Sequence, residues 1–290
     1  MPIIENLKNK IEEFWPKNGP ATQKIEKYVK KYLKEKIVIK CGGRVLLDPD
    51  LFDNFINDVT ILKKLGLTPI VVHGGGPRIK KKLDELKIET KFIMGLRVTD
   101  EKVIKVVEEV MVEFNKEIVN ALEKKECKGK SITIKENNSI YAEQKNRELG
   151  YVGKPTKIDD RLIKSFIKED FIPVVSPMGT DEKKQAYNIN ADTAAGALAK
   201  SLKSRRLMLM TDVEGVYDKE KKLISEITST EAEKLLYDGT ITEGMIPKIR
   251  TCIEAINNGV RGVVIIDGRK PHSILFELFS DEGSGTLIRK

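Results

Sequence analysis

Apolar residues recur along this chain with two different periods, and the switching between them predicts the layout. Ile4, Leu7, Ile11 and Phe14 fall three or four residues apart, the spacing of one helix face. Pro16 and Pro20 break the pattern, and Ile25, Tyr28, Val29, Tyr32 and Leu33 resume it. Residues 1–35 therefore read as two short amphipathic helices with a kink between them. An apolar run over 36–40 reads as a strand that ends in Cys41-Gly42-Gly43. A helix is predicted over 50–65, with Leu51, Phe55, Val59 and Leu62 on one face. The next strand, 68–73, runs into Gly74-Gly75-Gly76-Pro77. Further helices are predicted near 77–87, 100–125, 160–168, 191–202, 245–258 and 271–279, and strands at 131–134, 171–175, 207–210, 262–267 and from Thr286. The polar stretch between 131 and 160 reads as a hairpin-like segment.

Strands that alternate with helices predict an α/β fold, a three-layer αβα sandwich whose mainly parallel sheet carries helices on both faces. The chain of 290 residues is long enough for one large domain or two lobes, and 40% apolar residues suffice for a core. The net charge of +8 is Lys-rich and scattered, aromatic residues make up only 6%, and no RNA-recognition or zinc-finger pattern is present. The charge thus reads as a solvated face, with no nucleic-acid role expected. Cys41, Cys127 and Cys252 are odd in number and lack a Cys-x-x-Cys pair, which argues against a disulfide framework or zinc site and for a reducing compartment. The first residues lack the apolar stretch of a signal peptide, and no run approaches the ~18 apolar residues of a membrane helix. A soluble cytoplasmic protein with no membrane partner is expected.

Three glycine turns follow apolar strands: Gly42-Gly43, Gly74-Gly75-Gly76 and Asp267-Gly268. One such turn is ordinary chain reversal. Two at the carboxyl ends of buried strands point to anion binding, because open α/β sheets bind ligands there and glycine lets backbone N–H groups approach closely. Familiar nucleotide motifs fail. Lys124 stands where a P-loop ending at Gly129-Lys130-Ser131 needs its first glycine, and Ile79 stands where a dinucleotide fingerprint from Gly74 and Gly76 needs its third. The protein-kinase catalytic loop is absent too. Asn188-Ile189-Asn190-Ala191-Asp192 opens a helix, and capping explains only one of its three polar side chains. Arg97, in a turn before a helix, is suited to grip a carboxylate with two parallel hydrogen bonds. Lys40 ends the first strand, and Lys248 lies early in a helix behind Gly244-Met245-Ile246-Pro247.

Together these segments resemble the amino acid kinase family, within it the members that act on N-acetyl-L-glutamate. The matching stretches are Lys40-Cys41-Gly42-Gly43, Val71 to Pro77, Gly95 to Asp100, Gly150-Tyr151-Val152-Gly153, Tyr187 to Asp192, Met210 to Val216, Gly244 to Lys248 and Ile265 to Arg269. They stand in family order from about residue 36 to the C-terminus; each is modestly specific, the ordered set very specific.

The resemblance implies transfer of the γ-phosphoryl of ATP to the substrate's side-chain carboxylate, giving an acyl phosphate. It implies a kinked extension over 1–35, a lobe over 36–203 for substrate and phosphoryl transfer, and a nucleotide lobe over 204–290. Lys40 and Lys248 match the family's lysines on either side of the transferring group, and Asp192 the aspartate that orients them. Gly75, Gly76, Arg97, Asn188 and Asn190 match substrate positions; Lys40, Gly42, Gly43, Thr211, Asp212 and Lys248 match nucleotide positions. Mg²⁺ is expected to ride on the ATP phosphates with no dedicated protein cage. Relatives with a kinked N-terminal helix form hexamers, as rings of dimers, and are inhibited by arginine. Tyr28, Lys219, His272, Glu277 and Gly285 match that effector pattern. Three departures stand out: Cys41 replaces a bulkier residue, Glu243 replaces a second glycine before Met245, and Ser131 to Asn138 replaces a glycine-rich segment. The rivals are a relative acting on the one-methylene-longer N-acetyl-aminoadipate, which Gly95 to Asp100 disfavours, and a non-catalytic effector-binding protein, which retention of Lys40, Asp192 and Lys248 disfavours.

Overall fold

The computed structural model of the protein describes residues 7–242 and 244–290. Helix α1 (Leu7–Phe14) and helix α2 (Ile25–Tyr32) flank the predicted proline break, which is closed by a hydrogen bond from the Trp15 indole to the Pro20 carbonyl at 2.9 Å. The position of Ile4 and the departure at Glu243 lie outside the described residues. The α/β body then runs β1 (Lys36–Cys41), α3 (Pro49–Lys64), β2 (Thr68–His73), α4 (Gly76–Glu85), β3 (Phe92–Ile93), β4 (Leu96–Arg97) and α5 (Glu101–Lys124). It continues with β5 (Gly129–Ile132), β6 (Ile140–Gln144), β7 (Gly153–Ile158), α6 (Asp160–Lys168), β8 (Ile172–Val175), β9 (Met178–Thr180), β10 (Ala186–Asn188) and α7 (Ala191–Leu202). The last third holds β11 (Arg206–Thr211), β12 (Val216–Tyr217), β13 (Leu223–Ile224), β14 (Glu226–Thr228), α8 (Ser229–Tyr237), α9 (Met245–Asn257), β15 (Val263–Asp267), α10 (Ser273–Phe279) and β16 (Gly285–Arg289).

Eight strands form one sheet in the order β14-β16-β15-β11-β1-β2-β8-β5. All neighbours are parallel except β15 and β16. Both faces of the central strands are apolar, as a parallel sheet with helices on each side requires. Ile37, Ile39, Met208, Met210, Val264 and Ile266 face one core layer with α2, α3, α5 and α10. Val38, Leu207, Leu209, Val263 and Ile265 face the other with α6, α7 and α9. This alternation explains why the predicted strands are unbroken apolar runs. It also accounts for the N-terminal segment: Ile11, Ile25, Tyr28, Val29 and Tyr32 are buried in the first layer, and Trp15 meets Phe279 edge-on at 5.7 Å.

The chain leaves β1 for β2 on one side, and β11 later docks on the other, so strand order reverses at β1. Such a reversal parts the crossover connections and opens a crevice at the carboxyl ends of the strands. Lys40, His73 and Thr211 all sit at those ends.

The hairpin-like segment is the antiparallel pair β6–β7, part of a smaller sheet ordered β10-β9-β6-β7. The strand expected at 131–134 spans Gly129–Ile132, because Thr133 turns the chain through reciprocal backbone bonds with Glu136. The β9–β10 hairpin, the short strands β3, β4, β12, β13 and β14, and helix α8 were not expected. Most are two or three residues long, too short for a period to register, and in α8 only Ala232 is buried. Helix α8 is specified instead by its capping box, in which Thr228 and Glu231 bond each other's backbone.

Candidate functional site

Lys40 lies at the carboxyl end of β1, Asp192 in the first turn of α7, and Lys248 in the first turn of α9. The fold brings them together. Lys40 Nζ stands 3.0 Å from Asp192 Oδ1, and Lys248 Nζ stands 2.5 Å from Asp192 Oδ2. All three side chains are largely shielded from solvent, at 12%, 14% and 10% exposure respectively. Burial by itself would raise the Asp192 carboxyl pKa. The ammonium groups of Lys40 and Lys248 overcome that and hold it well below the usual carboxylate range. The triad carries a net positive charge, and the N-termini of α7 and α9 add partial positive charge from their backbone.

The glycines after β1 leave room for functional side chains. A Cβ on Gly42 would come within 2.6 Å of Lys40 Nζ. Gly43 has φ +63°, a left-handed conformation that suits glycine, and a Cβ there would meet the Asp212 carboxylate at 2.6 Å. Asp212, just past β11, is thereby placed at the first glycine turn. In the second turn a Cβ on Gly75 would meet Met111 Sδ at 2.8 Å, whereas Gly76 faces open space. The third turn serves packing: Gly268 donates to the Thr211 carbonyl at 2.8 Å and abuts Val45.

A cleft of about 500 Å³ opens between Lys40, both glycine turns, Arg97, Pro177 and residues 188–191. Arg97 forms its far wall. The guanidinium stacks on Phe92 at 4.7 Å, and Nη2 donates to the Gly76 carbonyl at 3.3 Å. Asn188, Asn190 and Asp192 divide three tasks. Asn190 caps α7 by accepting the Thr193 N–H at 3.1 Å, Asn188 donates to Thr99 Oγ1 at 3.2 Å, and Asp192 holds the lysines.

Two supports stand behind the residues named so far. Thr99 is fully buried, and its hydroxyl donates to the Arg97 carbonyl at 2.9 Å while accepting from Asn188, so it joins two walls of the cleft. Gly150, at φ +66°, passes so close that a Cβ would lie 2.3 Å from the Thr99 carbonyl oxygen. His73 and Asn115, both fully buried, lie behind the second glycine turn. Thr99, Gly150 and His73 fall within the stretches matched above, but nothing local marked their roles, and Asn115 falls in none of those stretches.

The expected effector residues divide. Tyr28 donates its hydroxyl to Asp281, and Glu277 accepts the Ser284 N–H at 3.0 Å, so both meet the loop that leads to Gly285. Burial raises the Glu277 carboxyl pKa, while Arg206 and Lys31 oppose the rise. His272, at the other end of α10, turns inward to Asp58 Oδ1 at 2.7 Å, and Lys219 pairs with Asp238 at 3.0 Å. Among the described residues no group of three or more His, Cys, Asp or Glu side chains is arranged to hold a metal, and no helix is long and apolar enough to cross a membrane.

Known proteins share this arrangement of sequence and fold. An acetylglutamate kinase of Pelagibacter ubique (strain HTCC1062) is 57% identical over 275 residues, covering 95% of this chain and 96% of that protein. An acetylglutamate kinase of Bartonella tribocorum is 42% identical over 299 aligned residues, covering 98% and 99%. A crystal structure of N-acetylglutamate synthase from Neisseria gonorrhoeae, complexed with coenzyme A and L-arginine, superimposes with a TM-score of 0.80 at 21% identity. It covers 93% of this chain, which spans 64% of the synthase chain, and so shows the fold alone. The sequence profile of the amino acid kinase family matches residues 35–267. With that profile over most of its length and a relative more than half identical nearly end to end, the chain belongs to the amino acid kinase family.

Proposed function

We propose that this protein transfers the γ-phosphoryl group of ATP to the side-chain carboxylate of N-acetyl-L-glutamate, giving N-acetyl-L-glutamyl 5-phosphate. The observation that carries this reading is the Lys40–Asp192–Lys248 triad at the head of a cleft whose far wall is Arg97. The attacking carboxylate is ionised at neutral pH, its unperturbed pKa being about 4, so no general base is needed. The obstacle is the approach of two anions and the charge that spreads over the transferring group. Lys40 and Lys248 meet both demands, and Asp192 keeps the two ammonium groups together despite their mutual repulsion. Arg97, steadied by Phe92 and by Thr99 beneath its backbone, grips the substrate α-carboxylate, with Asn188 and Asn190 beside it. Gly75 and Gly76 offer N–H donors to the reacting end, while Gly42, Gly43, Thr211 and Asp212 form the nucleotide side. On this reading residues 36–203 carry the substrate, the phosphoryl transfer and the Gly42-Gly43 turn, and 204–290 carry the rest of the nucleotide side.

Mg²⁺ would accompany ATP and supply neutralisation of the phosphate charge. The triad carboxylate is not available as its ligand, because both Asp192 oxygens face lysines.

The test is ATP-dependent formation of a hydroxamate when acyl phosphate is trapped with hydroxylamine, with N-acetylglutamate, N-acetyl-aminoadipate, glutamate and aspartate compared. N-acetylglutamate is expected to give the highest kcat/KM. One methylene is worth about 1–3 kcal/mol, so preference for the longer acid by that margin would reassign the substrate. No hydroxamate with any acid would refute the kinase reading.

Arginine inhibition and a hexamer built as a ring of dimers complete the proposal for this cytoplasmic enzyme of arginine biosynthesis. The support is the half-buried Glu277 carboxylate, suited to a guanidinium, beside the loop held by Tyr28, and the L-arginine complex of the synthase of like fold. Deleting residues 1–20 is expected to abolish hexamers in sedimentation and weaken arginine inhibition. It removes Ile11 and Trp15 from the core as well, so a lower Tm is expected in the same variant. An arginine-insensitive full chain would refute the regulatory part.

A further inference from the structure

His73 ends β2 immediately before the second glycine turn and is completely buried, yet nothing in the phosphoryl transfer described above uses it. Its Nδ1 lies 3.1 Å from the Gly74 carbonyl oxygen. A carbonyl only accepts, so Nδ1 carries the proton and donates. The other nitrogen, Nε2, lies 3.1 Å from Asn115 Nδ2 on α5. An amide nitrogen only donates, so Nε2 is the bare acceptor of a neutral ring. Both bonds thus require one tautomer. Burial favours the same neutral state by pushing the His73 pKa down to about 4. The Asn115 amide nitrogen also donates to the Val174 carbonyl at 2.9 Å on β8, and Phe114 meets the ring edge-on at 5.1 Å. The imidazole is therefore fixed in orientation by a helix and a neighbouring strand.

The bond to Gly74 matters because of peptide geometry. The Gly74 carbonyl and the Gly75 N–H belong to one planar trans unit and point in opposite directions. A donor that draws the Gly74 oxygen into the interior turns the Gly75 N–H outward, and Gly74, Gly75 and Gly76 all line the cleft. The peptide units on either side are held by backbone bonds, Gly74 N–H to the Cys41 carbonyl at 2.7 Å and Ile79 N–H to the Gly75 carbonyl at 2.8 Å, but the glycine torsions between them leave the Gly74–Gly75 plane the freest part of the turn.

We propose that His73, locked by Asn115, is a positioning residue that orients the Gly74–Gly75 peptide so that the Gly75 N–H is preset toward the transferring phosphoryl group. This inference rests on the kinase reading above and deepens it. The Nδ1 donor does not touch the reacting atoms; it acts through the backbone of the turn. The contribution falls on charge that develops in the transition state, where a preset donor costs no reorganisation. Loss of the His73 donor is accordingly a kcat effect, with substrate affinity retained through Arg97.

The test compares His73→Leu, which removes the donor, with His73→Asn, whose amide nitrogen can take the place of Nδ1, and with Asn115→Leu, which frees the ring. Hydroxamate formation is measured well below each variant's Tm, with active sites counted by the stoichiometry of a fluorescent ATP analogue. His73→Leu is expected to lower kcat roughly 10–100-fold with the KM for N-acetylglutamate changed less than about threefold. His73→Asn is expected to recover most of that loss, and Asn115→Leu to show a smaller fall of the same kind. If His73→Leu does not fold, the recovery in His73→Asn and the kcat–KM split in Asn115→Leu decide the matter. Wild-type kcat per active site in His73→Leu, or equal losses of kcat in His73→Leu and His73→Asn, would overturn the inference while leaving the kinase reading intact. No hydroxamate from the wild-type chain would overturn both.

Discussion

Replacing Lys248 or Lys40 with alanine is expected to lower kcat by roughly 10²–10³-fold while moving either KM far less. Each ammonium lies within 3.0 Å of an Asp192 oxygen and is largely shielded from water, so its charge acts through a weakly screening medium. In the ground state the cleft still offers Arg97, the glycine turns and the other lysine, which is why binding persists. In the transition state charge spreads over the transferring phosphoryl, and half of the compensating positive charge is gone. Arginine at either position is not expected to restore turnover. Its planar guanidinium is larger than the ammonium, and at position 40 it would have to share space with Gly42, where even a Cβ comes within 2.6 Å of the present nitrogen. Steady-state kinetics with both substrates varied will check this. Wild-type-like kcat in either alanine variant would sink the assignment of these lysines.

Asp192→Asn is expected to cost both activity and stability. An amide leaves two mostly buried ammonium groups together without a counter-charge. Breaking a buried pair by removing one partner costs about 3–5 kcal/mol, which corresponds to a fall in Tm on the order of 10 °C. The pH dependence follows from the sign of the shift. The Asp192 pKa is depressed in the folded protein, so its stabilisation is fully present above the unfolded-state pKa of about 3.9 and is lost as pH falls below it. The Tm gap between wild type and variant should therefore hold from neutral pH down to about 4 and close at lower pH. A gap that instead widens on acidification would contradict the charge assignment. In kinetics the variant should show a lower kcat together with a weaker dependence on which lysine is then removed, because Asp192 couples the two.

Functional residues were legible in this sequence where one segment carries its own signal. Glycine turns after apolar runs pointed to the cleft floor, and Lys40 could be placed beside the first of them from its strand boundary alone, whereas Arg97 read locally only as an arginine in a turn, and the resemblance gave it its place. Asn188, Asn190 and Asp192 were visible as one polar cluster, but not their division of labour. A cap is recognisable locally, whereas the Asn188 bond to Thr99 spans 89 residues and the Asp192 contacts with Lys40 and Lys248 depend on three separate helix and strand ends. His73 and Asn115 read as the end of one strand and a residue of an apolar helix, and neither spacing says that they touch. The proposed effector residues show the same division: Tyr28 has a periodic place on α2, but its partner is Asp281, at the far end of the chain.

What the sequence determined by itself was the inventory: strands that are apolar on both faces, helices with one buried stripe, and glycines at the strand ends. Those features depend on backbone sterics and burial over a few neighbouring residues, so a local pattern records them. Only the tertiary structure decided which of them meet. Strand order in the sheet departs from chain order, reversing at β1 and placing β11 beside it. That arrangement is set by how whole layers pack, and no local period encodes it. It is the reason one buried carboxylate comes to hold two lysines that are 208 positions apart, Lys40 and Lys248.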